Sequence, residues 1–457
     1  MIPNISRQLP LNTIPIFLSS LIVSCASIDK VDFVDATSLV DARLYGDDNP
    51  TSAWDKQSTL TTGVAVATAL MNDALLKRDL AVIVEYQEEY SKSGLLPNPT
   101  ISGALGIAID GMSGAPLVMK GMQGLGWLWT RPDRMASAEA TVQQAILSAS
   151  NRAITLASVA RTAHAHVYFS QATLVLAHED QETAEQAVSL ITALHGAGEA
   201  SQTDIDGSLL ELAKSKSIVV DRSNDVEQNK LALLASMGIP TWSTDFLVLE
   251  PELESIQDSM TEVELLAIAT KNRFDLGVKH SKVVQRSAEL GLANPPQITA
   301  SVAFNENFND REALLAGASV VIQLDGEANE AIADSKLVQA QLELSDALRV
   351  ALHEVRQALQ QYRSANEKLQ ISRDEIVNLA KAQHDRALKF QEQGELDPLS
   401  IIPIKRQFIA ADVLVLAHKE NLIVAQIKLQ LAIGGTFKAS MPTDIAHESH
   451  PSKGFKQ

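Results

Sequence analysis

Residues 133–198 read DRMASAEATVQQAILSASNRAITLASVARTAHAHVYFSQATLVLAHEDQETAEQAVSLITALHGAG. From Asp133 to His195 this stretch contains neither Gly nor Pro. Such a run predicts one helix, and at 1.5 Å per residue it is roughly 95 Å long, too long for most globular domains to enclose. Alanines recur along its heptad seam, which indicates that another helix packs closely against it. Gly196 and Gly198 end the run and predict a turn into a returning helix.

The landmarks around this stretch occur twice in the chain. Three of them recur 196 residues later: Gly198 as Gly394, Gly238 as Gly434, and Asn98-Pro99 as Asn294-Pro295. A second run without Gly or Pro covers residues 327–393 and predicts another helix of roughly 100 Å. An internal repeat of this length indicates one structural unit that is built twice, each time with a long helical hairpin.

Strand-like segments follow each Asn-Pro pair. In the first copy, apolar and polar residues alternate over residues 99–110, and a second strand is predicted to reach about Thr130, so the strands cover about 99–130. In the second copy the alternation covers about 297–325, around a polar loop over 305–312. Each copy is therefore predicted to carry a two-stranded hairpin with one apolar face.

Three aromatic residues lie on the predicted apolar faces: Trp127, Trp129 and Phe304. Aromatic side chains are enriched where an apolar strand surface meets the membrane–water interface, so we expect these three at such an interface. A soluble hairpin with a buried tryptophan pair is the alternative.

The composition argues against several functional classes. The chain of 457 residues has a formal net charge of −18 and a pI near 5.0, without a basic cluster, which argues against binding to nucleic acid. The sequence contains no P-loop, GxSxG or HExxH motif. His164 and His166 are two residues apart on the predicted helix and point in different directions, so they do not form a metal-binding pair. We therefore expect no enzyme, no cofactor and no metal site.

The N-terminal residues resemble a bacterial lipoprotein signal. An apolar segment covers residues 14–23, and Ile22-Val23-Ser24-Cys25 is similar to a lipobox. We expect residues 1–24 to be the signal peptide and Cys25 to be acylated, at the start of an extended arm over 25–60. An ordinary signal peptide or a cytosolic thiol is the alternative. No other segment has about 18 uninterrupted apolar residues, so the mature chain is predicted to lack a transmembrane helix.

The remaining chain divides at the repeat boundaries. The predicted repeats are residues 61–238 and 261–435, with a linker over 239–260 and a polar C-terminal tail over 436–457. Each repeat begins with a helix, over about 62–93 and from about 261. The long helices are predicted over about 133–195 and 327–393, and the return helices over about 204–237 and 398–434.

Each repeat therefore reads helix, Asn-Pro, strand, loop, strand, long helix, glycine turn and return helix. This order covers nearly the whole mature chain and resembles the TolC-like outer-membrane factor family, of the lipoprotein type. The matching motifs are Ala69-Leu70-Met71-Asn72-Asp73 before Gly94-Leu95-Leu96-Pro97-Asn98-Pro99, Asp204-Ile205 after Gly198, and Leu431-Ala432-Ile433-Gly434. The order and the equal spacing of these motifs carry the resemblance.

The resemblance implies a mixed α+β membrane protein that forms a homotrimer. Three protomers would each give four strands to a 12-stranded β-barrel, and their antiparallel coiled-coil helices would form a periplasmic α-barrel. Several copies are also required physically, because the two edges of a four-stranded sheet cannot face lipid unpaired.

The implied function is the outer-membrane channel of a tripartite efflux or export system in a Gram-negative bacterium. The channel would be lipid-anchored, would extend into the periplasm, and would act passively. Its implied partners are outer-membrane lipid, a periplasmic adaptor protein and an inner-membrane transporter of the RND or a similar type.

In that family the hairpin tips form the closed periplasmic entrance and meet the adaptor. The corresponding residues here are Gly198, Thr203, Asp204, Asp206, Gly394 and Asp397. Thr203 or Asp204 is predicted to cap the return helix. The alternative to capping by the aspartates is gating, because threefold repetition would create a carboxylate ring that could favour cations.

A periplasmic coiled-coil scaffold or adaptor that never crosses the membrane is the alternative function. The predicted strands discriminate between the two, since a scaffold needs no lipid-compatible faces. The sequence does not select among drug, metal-ion and protein substrates.

Overall fold

The computed structural model describes residues 54–55, 59–106, 117–240, 243–251, 261–307, 311–321 and 325–435, without the side chains of residues 306, 307, 311 and 312. The predicted signal peptide, Cys25 and the tail over 436–457 lie outside the described residues. No helix in the described ranges is both long and apolar enough to cross a membrane.

Within these ranges the chain contains two copies of one order of elements. The first comprises α1 (Thr62–Asn72), α2 (Ala74–Ser93), β1 (Thr100–Leu105), β2 (Leu117–Gly124), α3 (Trp127–Gly196) and α4 (Gln202–Ser236). The second comprises α5 (Glu262–Asn272), α6 (Phe274–Gly291), β3 (Gln297–Asn307), β4 (Arg311–Val321), α7 (Gly326–Ile371), α8 (Asn378–Glu392) and α9 (Pro398–Ile433). A π-helical turn at Ser372–Val377 continues α7 into α8, so the two form one long helix.

Each repeat begins with two helices rather than the single helix that was predicted. Asp73 and Arg273 have extended backbone, with ψ of 116° and 121°, between consecutive helices. The Asp73 carboxylate accepts a hydrogen bond from Leu76 N, so Asp73 ends α1 and also caps α2. The break brings the end of α1 against the end of α4, where Asn72 Nδ2 donates to Met237 O at 3.0 Å.

The strand predicted to reach about Thr130 is wrong over its last residues. β2 stops at Gly124, and α3 begins at Trp127, so Trp127 and Trp129 lie in the first turn of a helix. Trp129 Nε1 donates to Pro296 O at 3.1 Å, and this bond holds the start of α3 beside the start of β3. The tertiary contact overrides the strand preference of the tryptophans.

The four strands form one antiparallel sheet in the order β1-β2-β3-β4. β2 and β3 are hydrogen-bonded although they come from different repeats, in a register that runs from Leu117 opposite Glu306 to Gly124 opposite Thr299. β3 and β4 are longer than predicted. β3 continues to Asn307 and β4 begins at Arg311, so both strands include residues of the segment 305–312 that was predicted as a polar loop.

The long helices pack through small side chains, as their sequence predicts. Buried alanines of α3 lie in one cluster with Ile83 of α2 and Phe274 of α6: Ala149, Ala153, Ala157 and Ala160. Further along α3, Phe169 packs against Ile423 and Ile427 of α9. α3 therefore contacts helices of both repeats and packs the two hairpins together.

The four repeated glycines end four helices in the same way. Their φ angles are positive: Gly198 +81°, Gly238 +65°, Gly394 +75° and Gly434 +85°. In each case the glycine N–H and the next N–H donate to carbonyls three and five residues earlier, as at Glu199 N to Leu194 O and Glu395 N to Phe390 O. This is the Schellman motif, so the sequence repeat corresponds to one helix end made four times.

We expect Gly434→Ala to destabilise the fold more than Gly394→Ala. Both glycines have positive φ, which costs an alanine about 1–2 kcal/mol. A Cβ on Gly394 would meet open space, whereas a Cβ on Gly434 would lie 2.8 Å from Asn272 C, at the break between α5 and α6. Since backbone must move there, the total cost for Gly434→Ala is about 3 kcal/mol or more.

The measurement is denaturant unfolding followed by helical circular dichroism, with Gly394→Ala as the matched control. Equal losses in the two variants would contradict the close packing of Gly434 against α5.

Candidate functional site: the sheet and the hairpin tips

One face of the sheet is apolar and solvent-exposed in the single chain. Because directly opposite residues in a sheet share a face, the ladder places these described side chains together: Ile101, Leu105, Leu117, Met119, Ile298, Val302, Phe304, Leu314 and Val320. Ile101, Leu105 and Leu314 are 71%, 75% and 73% exposed. Among the side chains that the structure describes, Gln123 is the one polar residue on this face. This arrangement matches the lipid-compatible face that the sequence predicts.

The opposite face carries nearly all of the described polar side chains of the sheet. These polar residues are Thr100, Ser102, Lys120, Gln297, Thr299, Ser301, Asn305 and Ser319. The larger apolar residues on the same face are Val118, Met122, Leu315 and Val321. Lys120 is the one charged residue among the described side chains of the sheet. A sheet with these two faces separates an apolar from an aqueous environment.

The outer edges of the sheet have no partner strand in the described part of the chain. β1 pairs only with β2, and β4 pairs only with β3. Each edge therefore carries a row of free backbone N–H and C=O groups, which lipid cannot satisfy.

The predicted interface aromatics occupy two levels. Trp129 lies at the base of the sheet and is 40% exposed, and the Arg131 guanidinium lies 5.8 Å from the ring centre of Trp127. Phe304 lies on the apolar face opposite Met119, and β3 rises roughly 23 Å between Gln297 and Phe304. The two tryptophans and Phe304 thus cannot belong to one aromatic belt.

A capping box starts α4 at the first hairpin tip, and the N-cap predicted at Thr203 or Asp204 is wrong. Ser201, not Thr203 or Asp204, is the N-cap of α4. Ser201 Oγ and N donate to Asp204 Oδ2 at 2.7 and 2.8 Å, and Asp204 N donates back to Ser201 Oγ. The spacing of Ser201 and Asp204 is the sequence signal of a capping box.

These bonds determine the charge state of the tip. The hydrogen bonds from the Ser201 hydroxyl and backbone lower the pKa of Asp204 below its ordinary value of 3.8, so they favour the charged carboxylate. Asp206 Oδ1 accepts from Gln202 Nε2 at 3.0 Å. Both carboxylates are exposed, and each also stabilises the first turn of α4.

The second tip is built differently. Asp397 is the N-cap of α9, but its side chain makes no capping hydrogen bond, and Pro398 occupies the first helical position. Gly198 and Gly394 are exposed at the two tips, as is Thr203. The structure therefore places all six predicted residues on exposed tips, four on one and two on the other.

A cluster around Arg406 ties the hairpins together and was not predicted. Arg406 Nε and Nη2 donate to the two carboxylate oxygens of Asp180 at 2.7 and 3.0 Å, and Nη1 donates to Glu211 Oε2 at 3.1 Å. The Ser215 hydroxyl also donates to Asp180, at 2.7 Å. One guanidinium of α9 thus joins α3 and α4, between residues that lie far apart in the sequence.

The environment of Asp180 favours its charged form. Burial alone would raise its pKa, but the hydrogen bonds from Arg406 and Ser215, together with the Arg406 charge, lower the pKa below 3.8. Arg406 and Asp180 are only 27% and 19% exposed, so solvent screens their interaction weakly.

We expect Arg406→Ala to lower the free energy of unfolding by about 1–3 kcal/mol, because the partly buried Asp180 loses its charged partner. The control is Arg349→Ala, which removes an exposed pair with Asp346 and should cost about 0.5 kcal/mol or less. Urea unfolding at pH 6 measures both.

The difference between wild type and Arg406→Ala should also depend on pH. The folded-state pKa of Asp180 is depressed, so its contribution is complete above 3.8 and is lost as pH falls through the folded-state value. A difference that stays constant from pH 6 to pH 3 would contradict the assignment to Asp180.

Comparison with known proteins supports the same fold. No family model matches the chain. Two relatives from Pseudomonas putida, the "Probable efflux pump outer membrane protein SepC" and the "Toluene efflux pump outer membrane protein TtgF", are each 24% identical to the chain over 323 residues. The match covers 66% of this chain and 66% of each relative, slightly less than two thirds of their length.

Solved structures match over most of the chain. The outer membrane protein VceC of Vibrio cholerae superposes with a TM-score of 0.67 at 13% identity, over 82% of this chain and 97% of that protein. The Campylobacter jejuni CmeC outer membrane channel superposes with a TM-score of 0.66 at 13% identity, over 86% and 91%. The predicted resemblance to the TolC-like outer-membrane factors is confirmed, and the chain has their fold.

Proposed function

We propose that this chain is the outer-membrane channel of a tripartite efflux or export system. It is a passive conduit from the periplasm to the exterior in a Gram-negative bacterium, and a separate inner-membrane pump supplies energy and substrate choice. The observation that carries this proposal is the four-stranded sheet with an exposed apolar face, a polar face and two unpaired edges.

Three copies close the sheet into a ring. With four strands each they form a 12-stranded barrel, in which every backbone group at an edge finds a partner. The apolar face of Ile101, Val302 and Leu314 is directed toward lipid, and the polar face with Lys120 and Ser301 lines an aqueous lumen. A periplasmic scaffold would have no use for this division of faces.

The helical hairpins continue the lumen below the membrane. α3 is roughly 105 Å long by its rise per residue, which suits a tunnel through the periplasm. Large apolar side chains remain exposed along the hairpins of the single chain: Val175, Val220, Leu342 and Leu379. Neighbouring copies bury these side chains in the trimer.

The tips form the periplasmic entrance and the contact with the adaptor protein. The proposed contact residues are Gly198, Thr203, Asp204, Asp206, Gly394 and Asp397. Since Asp397 makes no capping bond, it is the tip aspartate best placed for a role other than capping. The inner-membrane partner is a transporter of the RND or a similar type.

The anchor is a lipid on Cys25, and it can be tested apart from the channel. We expect wild-type protein to incorporate radiolabelled palmitate in bacteria and Cys25→Ala to incorporate none, because no other cysteine exists in the chain. Equal labelling of the two proteins, or labelling of neither while a known lipoprotein of the same cells is labelled, would contradict acylation at Cys25.

A cysteine-accessibility experiment tests the conduit. In a chain that lacks Cys25, Lys120→Cys and Met119→Cys place thiols on adjacent residues of β2 that face opposite sides of the sheet. The purified proteins are inserted into planar lipid bilayers and treated with a charged methanethiosulfonate reagent. We expect channel conductance in both variants, and a change of conductance on reagent only with Lys120→Cys, because its thiol lies in water.

Absence of conductance in the variants and in the wild-type chain would contradict the conduit. Reaction at Met119→Cys with none at Lys120→Cys would contradict the proposed facing of the sheet.

A further inference from the structure

The chain already contains one joint between its two repeats. β2 belongs to the first repeat and β3 to the second, and they pair with Gly121 opposite Val302 and Met122 opposite Ser301. In the proposed trimer, on which this inference rests, β4 meets β1 of the next copy. Like the pairing of β2 with β3, this contact between copies joins the second strand of one repeat to the first strand of another. The internal repeat therefore predicts the register in which β4 and β1 pair.

The offset between the repeats differs in the strands from that at the glycines. The apolar face of β1 carries odd-numbered residues such as Ile101 and Leu105, whereas that of β3 carries even-numbered ones such as Ile298 and Val302. An offset of 196 would therefore exchange the two faces. Matching Ile101 with Ile298 preserves the face and aligns the strand starts Thr100 and Gln297. A second proline at this point, Pro296, accounts for the additional residue.

The hairpin ladders then fix the offset of the other strands. Leu105 pairs with Leu117 in the first hairpin, and Val302, the equivalent of Leu105, pairs with Ala316 in the second. Leu117 is thus equivalent to Ala316. By the same step along the strands, Gly121 is equivalent to Val320.

The observed pairing of β2 with β3 can now be transferred to the pairing of β4 with β1 of the next copy. In place of Gly121 opposite Val302, the equivalent residues are Val320 and Leu105; in place of Met122 opposite Ser301, they are Val321 and Ala104. We propose that β4 of one copy pairs antiparallel with β1 of the next, with Val320 opposite Leu105 and Val321 opposite Ala104.

The side chains agree with this register. Leu105 and Val320 both lie on the apolar face and are 75% and 64% exposed in the single chain, so each lacks a neighbour that the other supplies. A shift of one residue would pair opposite faces. A shift of two residues toward the start of β1 keeps the faces but brings Val320 opposite Gly103, which offers no side chain to contact.

Disulfide cross-linking tests the register. Leu105→Cys with Val320→Cys is made in a chain that lacks Cys25, and the matched control is Gly103→Cys with Val320→Cys. Directly opposite cysteines meet the distance that a disulfide needs, and cysteines displaced by two residues do not. Within one chain Leu105 and Val320 lie on opposite edges of the sheet, separated by three strand spacings, or roughly 14 Å, across it. The ladder also places Leu105 level with Glu312, so Val320 is displaced by a further eight residues along β4, and a bond can form only between copies.

After mild oxidation of membranes, non-reducing gels should show cross-linked dimers and trimers for the first pair, and mostly monomer for the control and for each single variant. Efficient cross-linking of the control pair instead would overturn the register. A mass measurement in mild detergent distinguishes a wrong register from failure of the proposed function. Trimers without the expected cross-link contradict only the register, whereas monomers contradict the register and the proposed function.

Discussion

Unsatisfied backbone groups at the two edges of the sheet constrain the rest of this structure. In lipid, each free N–H or C=O costs several kcal/mol, because no water is present to bond it. In water, the face that carries Ile101 and Leu314 would instead remain exposed as an apolar patch. Pairing of β4 with β1 of another copy satisfies the backbone groups at the edges, and the closed sheet can then place its apolar face in lipid. The sheet, rather than the hairpins, therefore creates the requirement for several copies.

The hairpins follow from the same repeat. Each pair of strands leads directly into one long helix, and each long helix returns through a glycine in the left-handed region. In the proposed trimer, three chains would supply six strand hairpins and six helical hairpins around one axis. Inside a chain, Arg406 joins the return helix of the second hairpin to both helices of the first, so the hairpins are coupled without any contribution from a neighbour.

The sequence predicted the features that depend on local pattern. Long helices were apparent from the absence of Gly and Pro, and the apolar sheet face from alternation at Ile298, Val302 and Phe304. The repeated glycines marked helix ends because a left-handed residue is needed at each. The resemblance in element order then extended to the whole fold.

Features that depend on tertiary contacts were missed or misplaced. Trp127 and Trp129 alternate as in a strand, but the bond from Trp129 to Pro296 belongs to a helix start. Asp73 was predicted inside one helix, because the contact of α1 with the end of α4 that accompanies the break is not apparent in the sequence. The contact between Arg406 and Asp180 joins distant parts of the chain, and each residue alone resembles a charged residue on a helix surface. The Ser201 capping box was the exception, since its spacing was present in the sequence.

The most direct test of this account is electron cryo-microscopy of the purified chain in lipid nanodiscs. The account predicts three chains around one axis, twelve strands closed in a single ring inside the lipid, the face of Leu314 and Val302 toward lipid, and a continuous lumen through the helical hairpins. A single chain, or an assembly that buries the apolar sheet face against protein outside the bilayer, would contradict it.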